Sequence, residues 1–166
     1  MPELHGSVEG RGRRVAIVAA RFNEVVVKQL VEGAQACLVK HGVADDDVEV
    51  VWTPGAFEIP MVARRLAETG RYDAVVCLGA VIRGETAHFD YVAGEAARGI
   101  REASVATGVP CLFGVLTTET FAQAVDRAGG KHGNKGWDAA LAALEMAGLL
   151  EALPRRGAEP QEVTRR

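Results

Sequence analysis

AVVCLGAVIRGETAHFDYVAGEAARGIREA, residues 74–103, decides the fold. Its opening, Ala74 to Gly79, is an apolar run too short for a helix and rich in β-branched valine, which reads as a strand buried on both faces. Val92, Ala96, Ile100 and Ala103 then recur at helical spacing, so a helix that lays one apolar stripe on a sheet follows within a few residues. A buried strand feeding a covering helix is half of a β-α-β unit. The same alternation runs outward in both directions.

Further strands are predicted at Arg14 to Ala20, Val48 to Trp52 and Cys111 to Leu116, giving four central parallel strands. Val27, Leu30, Val31, Ala34, Cys37 and Leu38 keep a helical stripe after the first of them. A shorter helix is predicted from Ile59 to Glu68, because proline is tolerated in a first turn and Gly70 follows its end. Thr120 with Gln123 forms a capping box that opens a helix through Ala128, stopped by Gly129-Gly130. A last helix runs from Trp137 to Leu150 with Trp137, Ala140, Leu141, Leu144 and Gly148 on one side. The chain is one domain, 1–166, with its core at about residues 14–150; 1–12, with its three glycines, and 154–166, which mixes Pro, Gly, Arg and Glu without apolar periodicity, read as weakly ordered.

Composition narrows the function. With 48% hydrophobic and 25% charged residues and a net charge of −3, the chain is an ordinary globular domain without the clustered Lys/Arg that nucleic acid binding needs. Apolar runs such as Val15 to Ala20 fall well short of the roughly 20 residues that cross a bilayer, and Met1 to Arg14 has no apolar signal core. The reading is therefore a cytoplasmic protein with no nucleic acid or membrane partner. Cys37, Cys77 and Cys111 are odd in number and sit in apolar stretches without C-x-x-C spacing, which makes them reduced core residues.

In open parallel sheets, ligands bind outside the carboxyl ends of the strands. The segments there are richer than turns require: Arg21-Phe22-Asn23, then residues 53–60 (TPGAFEIP), then 81–89 (VIRGETAHF), then Thr117-Thr118-Glu119. Standard motifs do not account for them. No G-x-G-x-x-G follows the first strand, GGKHGNKG lacks the Walker A spacing, and neither H-E-x-x-H, a Cys/His cluster nor G-x-S-x-G occurs. A metal, a dinucleotide and a serine nucleophile are accordingly not expected.

Read singly, Phe22 offers a π-face to a planar heterocycle and Asn23 a donor and an acceptor; the plain alternative is a turn with an N-capping Asn. Glu58 can hold a polyol or simply favour a first helical turn. Gly84 to His88 joins a strand, a glycine turn and a helix start, a place where backbone N–H groups converge and attract phosphate. There Thr86 is a hydroxyl donor or a simple cap. His88, in a first turn whose positive dipole disfavours imidazolium, is a neutral proton acceptor or an idle surface residue. Arg127, Lys131 and Lys135 fall at or after the end of the helix opened by Thr120, where cations suit the dipole. Two lysines flanking a glycine-rich loop also suit a phosphate-bearing ligand. His132, Trp52 and Trp137 read as surface or packing residues.

Together, RFN after the first strand, PGAFEIP after the second, GAVIRGETAHFDYV after the third, FGVLTTET at the fourth and DRAG…GNKG near the end resemble the lumazine synthase family, over about Arg14 to Leu150. The resemblance implies a flavodoxin-like three-layer α/β/α sandwich. It also implies a transferase that condenses 5-amino-6-ribitylamino-uracil with 3,4-dihydroxy-2-butanone 4-phosphate to 6,7-dimethyl-8-ribityllumazine, phosphate and water, the penultimate step of riboflavin biosynthesis, with no cofactor. Carried over by position, Phe22, Asn23, Ala56, Phe57, Glu58, Val81, Ile82, Phe113 and Lys135 would hold the pyrimidine and ribityl chain. Glu85 through its N–H, Thr86 and Arg127 would bind phosphate, and His88 would move protons. Finally, the resemblance implies pentamers with sites between subunits, and the short loop Gly129 to Gly136 looks like that of members that build a sixty-subunit shell.

Overall fold

The computed structural model of the chain describes residues 1–155. Four parallel strands, β1 (Val15–Ala20), β2 (Val48–Thr53), β3 (Ala74–Ile82) and β4 (Cys111–Thr118), form one sheet in the order β2-β1-β3-β4. Helices α1 (Glu24–Lys40) and α5 (Lys135–Ala152) pack together on one face, and α2 (Ile59–Glu68) and α3 (His88–Thr107) on the other. This is the three-layer α/β/α sandwich with the flavodoxin-like strand order.

Strand alternation divides the core in two. Val15, Ile17 and Ala19 of β1 and Val76 and Leu78 of β3 face the α1/α5 layer, with Leu30, Leu38 and Leu144 against them. Ala16 and Val18 of β1 and Val75 and Cys77 of β3 face the α2/α3 layer, with Ile59, Ala96 and Ile100 against them. Because both faces are covered, the central strands read as unbroken apolar runs and not as alternating ones. All three cysteines are buried and unpaired, as their apolar surroundings predict.

Helix α2 has the predicted bounds, with proline in its first turn and Gly70 beyond its end at φ 69°. Helix α4 (Phe121–Asp126) opens on the capping box, both of whose bonds form: Gln123 N–H donates to Thr120 Oγ1 at 3.1 Å, and Gln123 Oε1 accepts from Thr120 N–H at 3.3 Å.

Several boundaries differ from the sequence reading. β3 continues past Gly79 through Val81 and Ile82, and β4 past Leu116 through Thr118, because each extension supplies the other's ladder partners: Val81 with Thr117, Ile82 with Thr118. Val81, Ile82, Thr117 and Thr118 are thus strand residues and not turn residues. The stretch after α4, read as helix to Ala128 and then loop, is a small antiparallel hairpin, β5 (Ala128–Gly130) and β6 (Gly133–Asn134). Gly129 and Gly133 supply its positive φ angles of 101° and 78°. Lys135 therefore opens α5, two residues before the predicted start.

Two of the three glycines of the leading segment, read as signs of weak order, serve close approach, while Gly12 takes a positive φ of 78°. A Cβ on Gly6 would overlap the Glu145 carbonyl of α5, and Gly10 N–H donates to His41 O at 2.8 Å. The tail expectation for 154–166 lies, from residue 156 on, outside the described residues.

Candidate active site

Strand order reverses between β1 and β3, and a cleft of about 680 Å³ opens at their carboxyl ends. Phe22, Asn23, Ala56, Phe57, Glu58, Val81, Ile82, Thr86 and His88 line it. Such switch points are where open α/β sheets take ligands.

The turn after β1 is locked to the end of β2: Arg21 N–H donates to Thr53 O at 2.8 Å and Phe22 N–H to Pro54 O at 3.1 Å. With its backbone so fixed, Phe22 keeps its ring 71% exposed toward the cleft, an arrangement that suits stacking and not core packing. Asn23 takes the left-handed conformation at φ 60° and makes no side-chain cap on α1. Asn23 does stand at the N-cap position, but its amide donates to Ala80 O at 2.7 Å and so bridges the first turn to β3. Ala56, Phe57 and Glu58 form a single 3-10 turn leading into α2. Ala56 is buried, Phe57 exposed, and among the described residues the exposed Glu58 carboxylate accepts no hydrogen bond, which leaves it free for a ligand's hydroxyls.

Residues 84–87 connect β3 to α3 and are exposed. Thr86 Oγ1 accepts from His88 N–H at 3.4 Å in a local turn around Ala87, the N-cap residue of α3, while the threonine hydroxyl proton stays available to a ligand. His88 is the first residue of α3 and is exposed at the positive end of a 20-residue helix. Glu85 sits in the same loop but does not line the cleft.

Phe113, Arg127 and Lys135 are elsewhere. They line a second cleft of about 400 Å³ along β4, which is an edge strand. Arg127 is the C-cap residue of α4 and donates to Gln123 O at 3.0 Å, in line with the dipole reading. The same reading fails for Lys135: opening α5, it stands at the positive helix end, where a cation is disfavoured. Asp138 Oδ2 at 3.3 Å offsets this locally. Lys135 N–H donates to Arg127 O at 2.8 Å, which couples the two cations through the backbone. Asn134 caps the helix through Gly136 N–H and Trp137 N–H, and its own amide donates to Gln29 O of α1 at 2.9 Å.

Lys131 and His132 line neither cleft. Trp137 packs edge-on against His41, with ring centroids 6.2 Å apart, and under Lys40, as a structural residue. Burial pushes the Cys37 and Cys111 thiols up to about 11 and Cys77 well above its ordinary value, so none supplies a thiolate near neutrality. Among the described residues no His/Cys/Asp/Glu group has the arrangement to hold a metal, and no helix is long and apolar enough to cross a membrane.

Three contributors were given no role by the sequence reading. Phe89 and Tyr91 line the first cleft, and their place in the first turns of a helix that starts at His88 was a usable signal. Arg83, beside the loop, carries more side-chain partners than any predicted site residue, and nothing local to it announces them. A single chain thus presents an aromatic, carboxylate and helix-start half in one cleft and a cationic half in another. Compared with known families, residues 12–151 match the family model described as 6,7-dimethyl-8-ribityllumazine synthase.

Proposed function

This chain belongs to the 6,7-dimethyl-8-ribityllumazine synthase family, transferases of riboflavin biosynthesis, and from that premise we propose that it condenses 5-amino-6-ribitylamino-uracil with 3,4-dihydroxy-2-butanone 4-phosphate. The observation that carries the reading is the cleft at the β1/β3 ends, where a fixed aromatic, a free carboxylate and a helix start with Thr86 and His88 meet. Phe22 stacks on the pyrimidine, while Val81, Ile82, Ala56 and Phe57 form the slot around it. Glu58 holds ribityl hydroxyls. The N–H of Glu85 and the hydroxyl of Thr86 take the phosphate. Asn23, its amide committed to Ala80, orders the turn that carries Phe22.

The 5-amino nitrogen attacks the ketone and loses water to give an imine; loss of the C3 proton and of phosphate leaves an enol that tautomerises to a new ketone at C3, on which the ribitylamino nitrogen closes with loss of a second water. His88 is suited to move the protons of these steps. Phosphate is already a fair leaving group, so most of the acceleration comes from holding two reactants together, an effect worth up to roughly 7–11 kcal/mol in ideal cases.

Phosphate carries about two negative charges, yet among the described residues no lysine or arginine lines the first cleft. Arg127, Lys135 and Phe113 line the other cleft, at the β4 edge. A second copy docking that edge against the first cleft completes the site, which favours a ring, a pentamer in this reading, and further assembly to a sixty-subunit shell for the short hairpin form. The single domain of 1–166 is the repeating unit.

The test mixes the purified full chain with both substrates, without metal or cofactor, and follows lumazine absorbance and fluorescence. Formation well above the spontaneous background is expected. Background rate alone, with tight lumazine binding, would make the protein a carrier. His88→Ala is expected to slow single turnover by up to about 10²-fold without abolishing it; an unchanged rate removes His88 from the proton transfers.

A further inference from the structure

We propose that Arg83 is a positioning residue that braces the loop 84–87 and shields it from neighbouring carboxylates, without touching substrate; this rests on the assignment of that loop to phosphate. Arg83 directly follows β3, and its N–H donates to Thr118 O at 2.9 Å, adding a rung to the β3/β4 ladder. Its side chain reaches three groups beyond the loop. Nε meets Glu119 Oε2 at 2.8 Å in the turn after β4, Nη1 meets Asp90 Oδ1 at 3.3 Å, and Cζ lies 4.3 Å from the Phe89 ring centroid in the first turn of α3.

The loop is therefore closed into a bracket, with Arg83 at its start holding the helix turn at its end. Between these posts it has few ties of its own. Hydrogen bonds at its helix end are local, His88 N–H to Thr86 Oγ1 and Asp90 N–H to Ala87 O, and a Cβ on Gly84 would meet nothing within 4 Å. With residues 84–88 all exposed, the position of the loop over the cleft is set by its ends.

Charge assigns the second task. One guanidinium faces two carboxylates, so Arg83 has no surplus positive charge for an anion and is not a phosphate ligand. Without it, Asp90 and Glu119 would stand uncompensated beside the helix start and repel phosphate over a short range. Only a planar fork serves two carboxylates and an aromatic face at once; an ammonium is a point charge.

The experiment uses the full chain with Arg83→Met, Arg83→Lys and the double variant Arg83→Met/Asp90→Asn. KM is measured for each substrate, inorganic phosphate is titrated calorimetrically, and thermal stability is recorded. Arg83→Met is expected to raise the KM for the butanone phosphate and weaken inorganic phosphate binding about tenfold, with the pyrimidine KM within about twofold. Arg83→Lys falls between, and adding Asp90→Asn recovers part of the phosphate affinity.

A purely structural role predicts lowered stability with both KM values moving together; that result, or no change, overturns the proposal. If Arg83→Met does not fold, Arg83→Lys carries the test, with a smaller shift in the same direction, and its absence overturns the proposal. A wild type that makes no lumazine defeats the reaction assigned above yet leaves the phosphate titration readable. Equal phosphate binding by wild type and Arg83→Met, or none by either, overturns the bracing role itself.

Discussion

The side-chain amide of Asn23 donates to the carbonyl oxygen of Ala80 at 2.7 Å, joining the end of β1 to β3 at the point where strand order reverses. Asn23 is also the only non-glycine residue with positive φ among the described residues. The bond fixes the turn that carries Phe22. Asn23→Gly keeps the backbone unstrained and loses one hydrogen bond, worth about 1 kcal/mol. Asn23→Ala adds left-handed strain of roughly 1–2 kcal/mol. The expected stability order is wild type, Asn23→Gly, then Asn23→Ala, read by thermal unfolding at one protein concentration. Equal losses would show that strain is unimportant there.

Gly136 and Gly33 set the closeness of α1 and α5. A Cβ on Gly136 would overlap the Leu30 carbonyl, and one on Gly33 the side chain of Asn134. Gly136→Ala must separate two helices whose contact buries Leu30 and Leu144, so a loss of about 3 kcal/mol or failure to fold is expected. Gly94, in mid-α3, meets nothing within 4 Å, and Gly94→Ala is expected to stabilise by about 0.5–1 kcal/mol. Unfolding curves for both variants check the contrast, and a destabilised Gly94→Ala would mean that another copy covers that face.

The division of the site between two clefts predicts complementation. Phe22→Ser disables the first cleft and Arg127→Met the second, so each variant alone is expected to lose most activity. Co-refolded in equal amounts, the two restore intact pairings at about a quarter of interfaces in a head-to-tail ring. Activity of the mixture near that of either parent would place a whole site within one chain.

Burial holds Cys37 and Cys111 near 11 and Cys77 well above its ordinary value. Folded values above the unfolded ones mean that the native state binds protons more tightly. The stabilising contribution is then complete below about pH 9 and is lost as pH rises toward 11. The melting temperature is expected to fall across that window, and less steeply when all three are replaced by alanine. At pH 8 the native thiols are expected to resist a disulfide reagent that modifies all three after unfolding.

Wherever the controlling interaction is local, the sequence by itself was enough. The capping box of Thr120 and Gln123, the bounds of α2, the starts of β2, β3 and β4, the stripes of α1 and α3 and the burial of three thiols follow from spacing within a few residues. Even the cluster of unusual residues at the strand ends was legible, because parallel topology places those ends together.

Tertiary structure decided what depends on distant partners. β3 runs on through Val81 and Ile82 because β4 is there to pair with it, and Asn23, at the N-cap of α1, gives its side chain to Ala80 and not to the helix because Ala80 lies within reach. Phe113, Arg127 and Lys135 fall outside the first cleft because β4 is an edge strand, a fact of strand order and not of spacing. Arg83 finds Glu119, 36 residues on, only after β3 and β4 are paired. Local hydrogen bonding and periodicity are written along the chain, whereas register, edges and ion pairs between strand ends arise only when the sheet closes.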